Sequence, residues 1–201
     1  MLTFDEPTHT YRWNGAVVPS VTQILRPLMD LDAVDPDVLR RASAFGTAVH
    51  LACELDDKGT LDESALDPAL APYLAGWRQF SKDYGCRWEA LESRVYHSTL
   101  RYAGTLDRRG TVGGHQAYVD IKSGTGLYHS VGPQLAAYAA ADCGIPGARR
   151  RYAVRLDPSL ASGYQLKEYT DPTDWPTFAS LITLRQFCQQ HRTTCKEISY
   201  A

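Results

Sequence analysis

The chain has no excess of positive charge, no long apolar run and no paired cysteine pattern, and each lack removes a class of protein. Its 21 Lys and Arg stand against 23 Asp and Glu, for a net charge of −2, and its pI is near 6.3. A bulk electrostatic grip on nucleic acid is therefore absent, so any such contact must come from locally placed charge. Nowhere do eighteen apolar residues follow one another, and no basic stretch followed by an apolar run opens the chain. These absences lead us to expect neither membrane contact nor export, and a cytoplasmic protein. The five cysteines, Cys53, Cys86, Cys143, Cys188 and Cys195, are odd in number and lack C-x-x-C spacing, which fits free thiols in a reducing compartment. Repeats and low-complexity segments are also missing. The only linker-like stretch is the acidic segment 56–67. What is present suits one domain spanning 1–201: 44% hydrophobic residues and a mean hydropathy of −0.33.

The most informative feature is a symmetry. Asp107 in Gly104-Thr105-Leu106-Asp107 and Asp120 in Val119-Asp120-Ile121-Lys122 lie equally far from Gly113-Gly114. A Gly-Gly between extended runs predicts a two-residue hairpin turn, so residues whose numbers add to 227 face one another, Asp107 and Asp120 among them. Two carboxylates that close repel unless a cation or proton lies between them. Strand periodicity puts Lys122 on the face of Asp120, with Val119 and Ile121 pointing to the core. Two acids and an amine suit Mg²⁺ or Mn²⁺ with a phosphate. Taken alone, Asp-x-Lys also reads as a solvated surface ion pair.

His50 follows Gly46 by four residues and precedes Glu54 by four, so on a helix the three share a face. His50 alone reads equally as a satisfied core histidine, and Glu54 as a solvated or structural residue. Glycine at 46 would allow a backbone or substrate to approach closely. Gln134 and Tyr138 form another i, i+4 pair, on an Ala-rich helix that could simply pack on a sheet.

Start, stop and turn signals order the rest. Asn14-Gly15 predicts a hairpin, and Ser20 can cap a short helix to about Leu28, so that 1–35 form an N-terminal hairpin and short helix. Asp35-Pro36 opens a long helix to Asp56, and Asp67-Pro68 a helix ending near Gly85. Strands are expected near 88–97, 101–110 and 116–123, and a helix from Ser130 or Pro133 to Gly144. Strands Arg151–Leu156 and Tyr164–Tyr169 follow, then an amphipathic helix from Pro172 to about His191. The order predicts an α/β fold with a central mixed β-sheet flanked by helices.

Gly46-Thr47-Ala48-Val49-His50, Gly104-Thr105-Leu106-Asp107, Asp120-Ile121-Lys122-Ser123-Gly124 and Gln134-Leu135-Ala136-Ala137-Tyr138 run in this order. Together they resemble the G-x-x-x-H, G-x-x-D, D-x-K and Q-x-x-x-Y motifs of the RecB-like branch of the PD-(D/E)XK nuclease superfamily. They are similar in particular to lambda-type and mitochondrial genome maintenance exonucleases. The resemblance covers roughly residues 40–140. It implies a restriction-endonuclease-like core over 36–201 and a metal-dependent deoxyribonuclease, an exonuclease of phage-type recombination, repair or replication. It further implies one or two Mg²⁺ or Mn²⁺ ions held by His50, Asp107, Asp120 and the backbone carbonyl of Ile121. Lys122, Asp120 and Asp107 would be catalytic, with Gln134, Tyr138, Gly46 and Ser123 lining the substrate. Glu92, on the preceding strand, is an additional candidate. Relatives with an iron–sulfur cluster place a cysteine before the G-x-x-x-H helix and three after Q-x-x-x-Y. This chain does not, so no cluster is expected.

DNA is the implied partner. A recombinase or single-strand annealing protein, a homo-oligomer, and the host cytoplasm as location for a phage protein follow by analogy. Phosphate contacts, if present, are sought at Arg40 and Arg41, at Arg108 and Arg109, and at Arg149 to Arg151. A structure-specific endonuclease on branched or flapped DNA, or a catalytically silent DNA-binding or assembly protein, fits the same residues.

Overall fold

A computed structural model describes residues 1–29 and 34–194; Cys195 lies outside them. Strands β1 (Leu2–Asp5), β2 (Thr10–Trp13) and β3 (Ala16–Val18) form an antiparallel sheet in the order β1-β2-β3. Asn14 and Gly15 both have positive φ, 49° and 83°, as the expected two-residue turn requires. β1 was not expected, because the link Glu6–His9 to β2 lacks glycine and reaches positive φ at His9 instead. Ser20 caps α1 (Val21–Leu25) reciprocally: its hydroxyl accepts the Gln23 N–H at 3.0 Å, and its own N–H donates to Gln23 Oε1 at 3.1 Å. The helix tightens into a 3₁₀ turn over Arg26–Leu28, where Pro27 has no amide to continue it.

Asp35 caps α2 (Pro36–Asp57), accepting the Asp37 N–H at 2.7 Å. α3 (Ala71–Asp83) starts later than Asp67-Pro68 suggested. Asp67 instead takes the Ala69 N–H at 2.9 Å and closes a local turn. Strands β4 (Arg87–His97), β5 (Tyr102–Val112) and β6 (His115–Lys122) form an antiparallel meander. After α4 (Val131–Cys143), ended by Gly144 at φ 76°, β7 (Arg150–Leu156) pairs parallel to β6 and β8 (Tyr164–Glu168) antiparallel to β7. The sheet order is β4-β5-β6-β7-β8, and α5 (Asp174–His191) follows. This is the expected mixed sheet flanked by helices. Among the described residues no helix is long and apolar enough to cross a membrane.

Alternation along β6 divides the core. Ala117, Val119 and Ile121 pack with Val49 and Cys53 of α2 and Leu74, Trp77 and Phe80 of α3. Tyr118 packs instead among α1, α4 and α5, with Leu25, Leu135, Phe178 and Ile182. Each fully buried large apolar side chain contributes about 1.5–3 kcal/mol.

β5 breaks this alternation. Leu106 belongs to the α4 side, yet the guanidinium of Arg108, two residues on, lies over the Trp77 ring of α3 at 5.4 Å. The side chains of β5 therefore change face at Asp107, with no shift in its register against β4 there. Opposite it, the β4–β5 ladder pairs Leu91 with Arg108 and Ser93 with Leu106 but skips Glu92, which has φ 43°. A non-glycine residue there costs roughly 1–3 kcal/mol, and such strain concentrates at functional positions.

Candidate metal centre

The β5–β6 register runs from Val112 opposite His115 to Arg108 opposite Val119, around Gly113 and Gly114 at φ 55° and 80°. The expected turn and its pairing rule hold throughout this ladder. One step further would oppose Asp107 and Asp120, but the ladder stops. The Asp107 carboxylate instead accepts the Ile121 N–H at 2.7 Å. Asp107 and Asp120 are 7% and 2% exposed, too little for water to relieve their charges.

Lys122 and Gln134 share Asp120. Lys122 Nζ lies 2.7 Å from the buried Asp120 Oδ2, a close ion pair. Gln134 donates from Nε2 to Asp120 Oδ1 at 3.0 Å and to the Tyr138 hydroxyl at 3.2 Å. Its Oε1 accepts from Lys122 Nζ at 3.3 Å. The i, i+4 pair of α4 thus meets the strand carrying Lys122, and Gln134 holds acid and amine in one network. Gly104 makes room for this: a Cβ there would lie 2.6 Å from Tyr138 Cε1.

α2 brings His50 to the break in the sheet. Its Nε2 lies 2.9 Å from the Ile121 carbonyl, and its Nδ1 3.6 Å from Asp107 Oδ2 and 3.8 Å from Glu92 Oε1. His50, Glu92 and Asp107 each present a ligand atom within 4.8 Å of the others. Glu92 joins His50 and Asp107, while Asp120 is engaged by Lys122 and Gln134 at the side of the cluster.

Burial acts against every charge here, and the neighbours decide the outcome. For His50, burial lowers the pKa, but Asp107, Glu92 and Asp120 outweigh it and push the imidazole up to about 9. Burial, with Asp107 adding to it, pushes Asp120 up to about 6 against the pull of Lys122. Asp107 is raised by burial and by Glu92, against His50 and Lys122. For Lys122, burial lowers the pKa, but Asp120 and Asp107 prevail and hold the amine as an ammonium. Buried carboxylates crowding one another, with a carbonyl and an imidazole among them, are a donor set that fits a hard divalent cation.

Other expected residues divide. A Cβ on Gly46 would lie 3.5 Å from Ser123 Oγ, so these two adjoin. Glu54 pairs with Lys58 at 2.5 Å, as a structural residue would. Arg108 is not a phosphate contact. The change of face at Asp107 turns it inward, fully buried, onto Asp57 at 2.7 Å and Glu92 at 2.9 Å. Most of the other expected arginines are paired with acids. Arg40 meets Asp37 at 2.6 Å, Arg109 meets Asp142 at 2.6 Å, Arg149 meets Glu89 at 3.1 Å, Arg150 meets Glu168 at 3.8 Å and Arg151 meets Asp174 at 2.9 Å. Arg41 is exposed on α2.

No family model matches the sequence, and no curated protein matches it. Among solved structures the chain is similar to LHK-Exo in complex with dAMP, at 13% identity and TM-score 0.47, over 87% of this chain and 89% of that one. It is also similar to SSO0001, at 14% identity and TM-score 0.37, over 89% of this chain and 86% of that one. At these identities and scores neither likeness says what this chain does.

Proposed function

We propose that the chain is one nuclease domain that hydrolyses DNA phosphodiester bonds with Mg²⁺ or Mn²⁺. The observation that carries this reading is the convergence of His50, Glu92, Asp107, Asp120, Lys122 and the Ile121 carbonyl at one fault in the sheet. His50, Glu92, Asp107 and the Ile121 carbonyl would hold the cation, with Asp120 completing the set. When bound, it polarises the scissile phosphate and lowers the pKa of water. Lys122, held as an ammonium, donates toward the charge that develops on the phosphoryl oxygens and orients the attacking water. Asp120 keeps the amine in place, and Gln134 fixes both through its two ends. Tyr138 supports Gln134 and borders the strand with Gly46 and Ser123. The motifs resemble those of exonucleases, which favours attack from an end. An endonuclease acting on branched or flapped DNA uses the same residues with a different entry.

The test is degradation of end-labelled linear DNA beside a closed circle, with Mg²⁺, Mn²⁺ or chelator, for wild type, Asp120→Asn and Lys122→Met. Metal-dependent loss of linear DNA alone, absent in both variants, supports the exonuclease. Nicking of the circle moves the activity to an endonuclease. No cleavage of single or double strands with either metal rejects the enzyme and leaves a DNA-binding or assembly protein.

A further inference from the structure

Away from the metal centre, β2, β3, the β4–β5 turn and α5 enclose a groove of about 730 Å³. One wall is apolar and aromatic, where Trp13 and Tyr96 stack with centroids 4.2 Å apart and planes 13° from parallel and Val17 is 61% exposed beside them, while Ser98, Thr99, Gln186 and Gln189 line the rest. Arg101 and Arg185 are its charged residues; no acid lines it, in a chain with 23 acidic residues. Unlike most arginines near the centre, these two have no acidic partner among the described residues. Arg101 also occupies a left-handed position, φ 54°, at the tip of its turn, where glycine or asparagine is the unstrained choice.

The groove is built rather than incidental. Gln186 of α5 donates to the Leu100 carbonyl of the turn at 2.8 Å. Ala103 N–H donates to the Pro19 carbonyl at 3.0 Å, closing the hairpin wall onto β5. It also connects to the centre: β4 carries Tyr96 in the groove and Glu92 at the cluster, four residues or about 13 Å apart. Exposed Arg94, its guanidinium over Phe4 at 5.2 Å, lies between them.

We infer that this groove binds a single-stranded segment of DNA and leads it along β4 to or from the metal centre, resting on the nuclease reading for the strand's destination. Unpaired arginines supply phosphate contacts, and the half-buried rings of Trp13 and Tyr96 with exposed Val17 take base faces. Only a single strand offers those faces, since a duplex hides them in its stack.

The experiment measures anisotropy of a fluorescein-labelled oligothymidylate of about a dozen nucleotides, in EDTA to prevent cleavage. Wild type is compared with the double variant Arg101→Gly, Arg185→Gln and, separately, with Val17→Glu. Glycine suits the left-handed position and Arg185 is exposed on its helix, so folding is preserved, which circular dichroism checks. Binding is expected to weaken about tenfold or more in both. The slope of log affinity against log salt should fall by roughly 1.4 in the double variant, at about 0.7 for each phosphate no longer neutralised. Cleavage of the nitrophenyl ester of thymidine monophosphate should be unchanged. Unchanged affinity and slope, equal loss of duplex binding, or displacement of the oligonucleotide by an acidic peptide with tighter binding would each overturn the groove's assignment. If wild type cleaves nothing yet the variants lose the oligonucleotide, the groove stands and the nuclease reading falls.

Discussion

The carboxylate of Asp107 accepts a hydrogen bond from the Ile121 N–H at 2.7 Å, and the carbonyl of the same Ile121 faces His50 Nε2 at 2.9 Å. One peptide position of β6 therefore aligns an acid from β5 on one side and an imidazole from α2 on the other. Asn at 107 retains an oxygen for the Ile121 amide but loses the charge. Asp107→Asn should fold with an unchanged or higher melting temperature without metal, because a buried carboxylate beside Glu92 is removed. Nuclease activity should fall by roughly a hundredfold or more, since several kcal/mol of transition-state stabilisation depend on the cation. Activity near wild type would remove Asp107 from the ligand set.

The His50 imidazole, held up to about 9 by Asp107 and Glu92 against burial, links stability to pH. Its folded pKa lies above the ordinary 6.5, so its stabilising contribution is full below that value and is lost as pH rises through about 9. Asp120, raised to about 6, acts in the same direction, its contribution being lost as pH rises through that value. The metal-free melting temperature should therefore fall between about pH 5 and 9. A cation needs neutral imidazole, so Mn²⁺ should bind more tightly as pH rises and release about one proton near pH 7. Calorimetry in two buffers of different ionisation enthalpy reads this, and a heat independent of buffer would contradict it.

Arg108 bridges Asp57 and Glu92 with no exposure to solvent. Arg108→Ala would strand both acids, and breaking such a buried pair costs about 3–5 kcal/mol. Thermal unfolding should show a drop on the order of 10 °C. The salt dependence of DNA binding should not change, as it would if this arginine touched a phosphate.

How much was legible in the sequence depends on where turn chemistry set the register. Gly113-Gly114 specifies a turn, so the ladder from Val112 opposite His115 to Arg108 opposite Val119 could be read from spacing, though it stops one step short of Asp107 and Asp120, and the i, i+4 spacing put Gln134 and Tyr138 together on α4. Glu92 could not be promoted in the same way. The β4–β5 turn has Arg101 at its left-handed position instead of glycine, so its sequence did not announce the register that sets Glu92 opposite Asp107, between the pairs Leu91–Arg108 and Ser93–Leu106. The inward turn of Arg108 was hidden because strict alternation fails at Asp107, where the side chains of β5 change from one core to the other.

Two glycines of the motifs have opposite local surroundings, and substituting each separates packing from function. At Gly104 an added methyl would meet Tyr138 Cε1 at 2.6 Å and Val21 Cγ2 at 3.2 Å. The Tyr138 ring is buried and tied to Gln134, so it cannot swing aside. Gly104→Ala should cost about 1–3 kcal/mol and disturb the network that holds Lys122. At Gly46 the methyl would find only Ser123 Oγ at 3.5 Å, an ordinary contact, within a helix that alanine favours by up to about 1 kcal/mol. Gly46→Ala should therefore melt at or above the wild-type temperature. If the space between Gly46 and Ser123 receives the DNA strand, this more stable variant should lose activity through a raised KM. Wild-type kinetics in Gly46→Ala would leave that glycine without a part in substrate binding and move the strand's path away from Ser123.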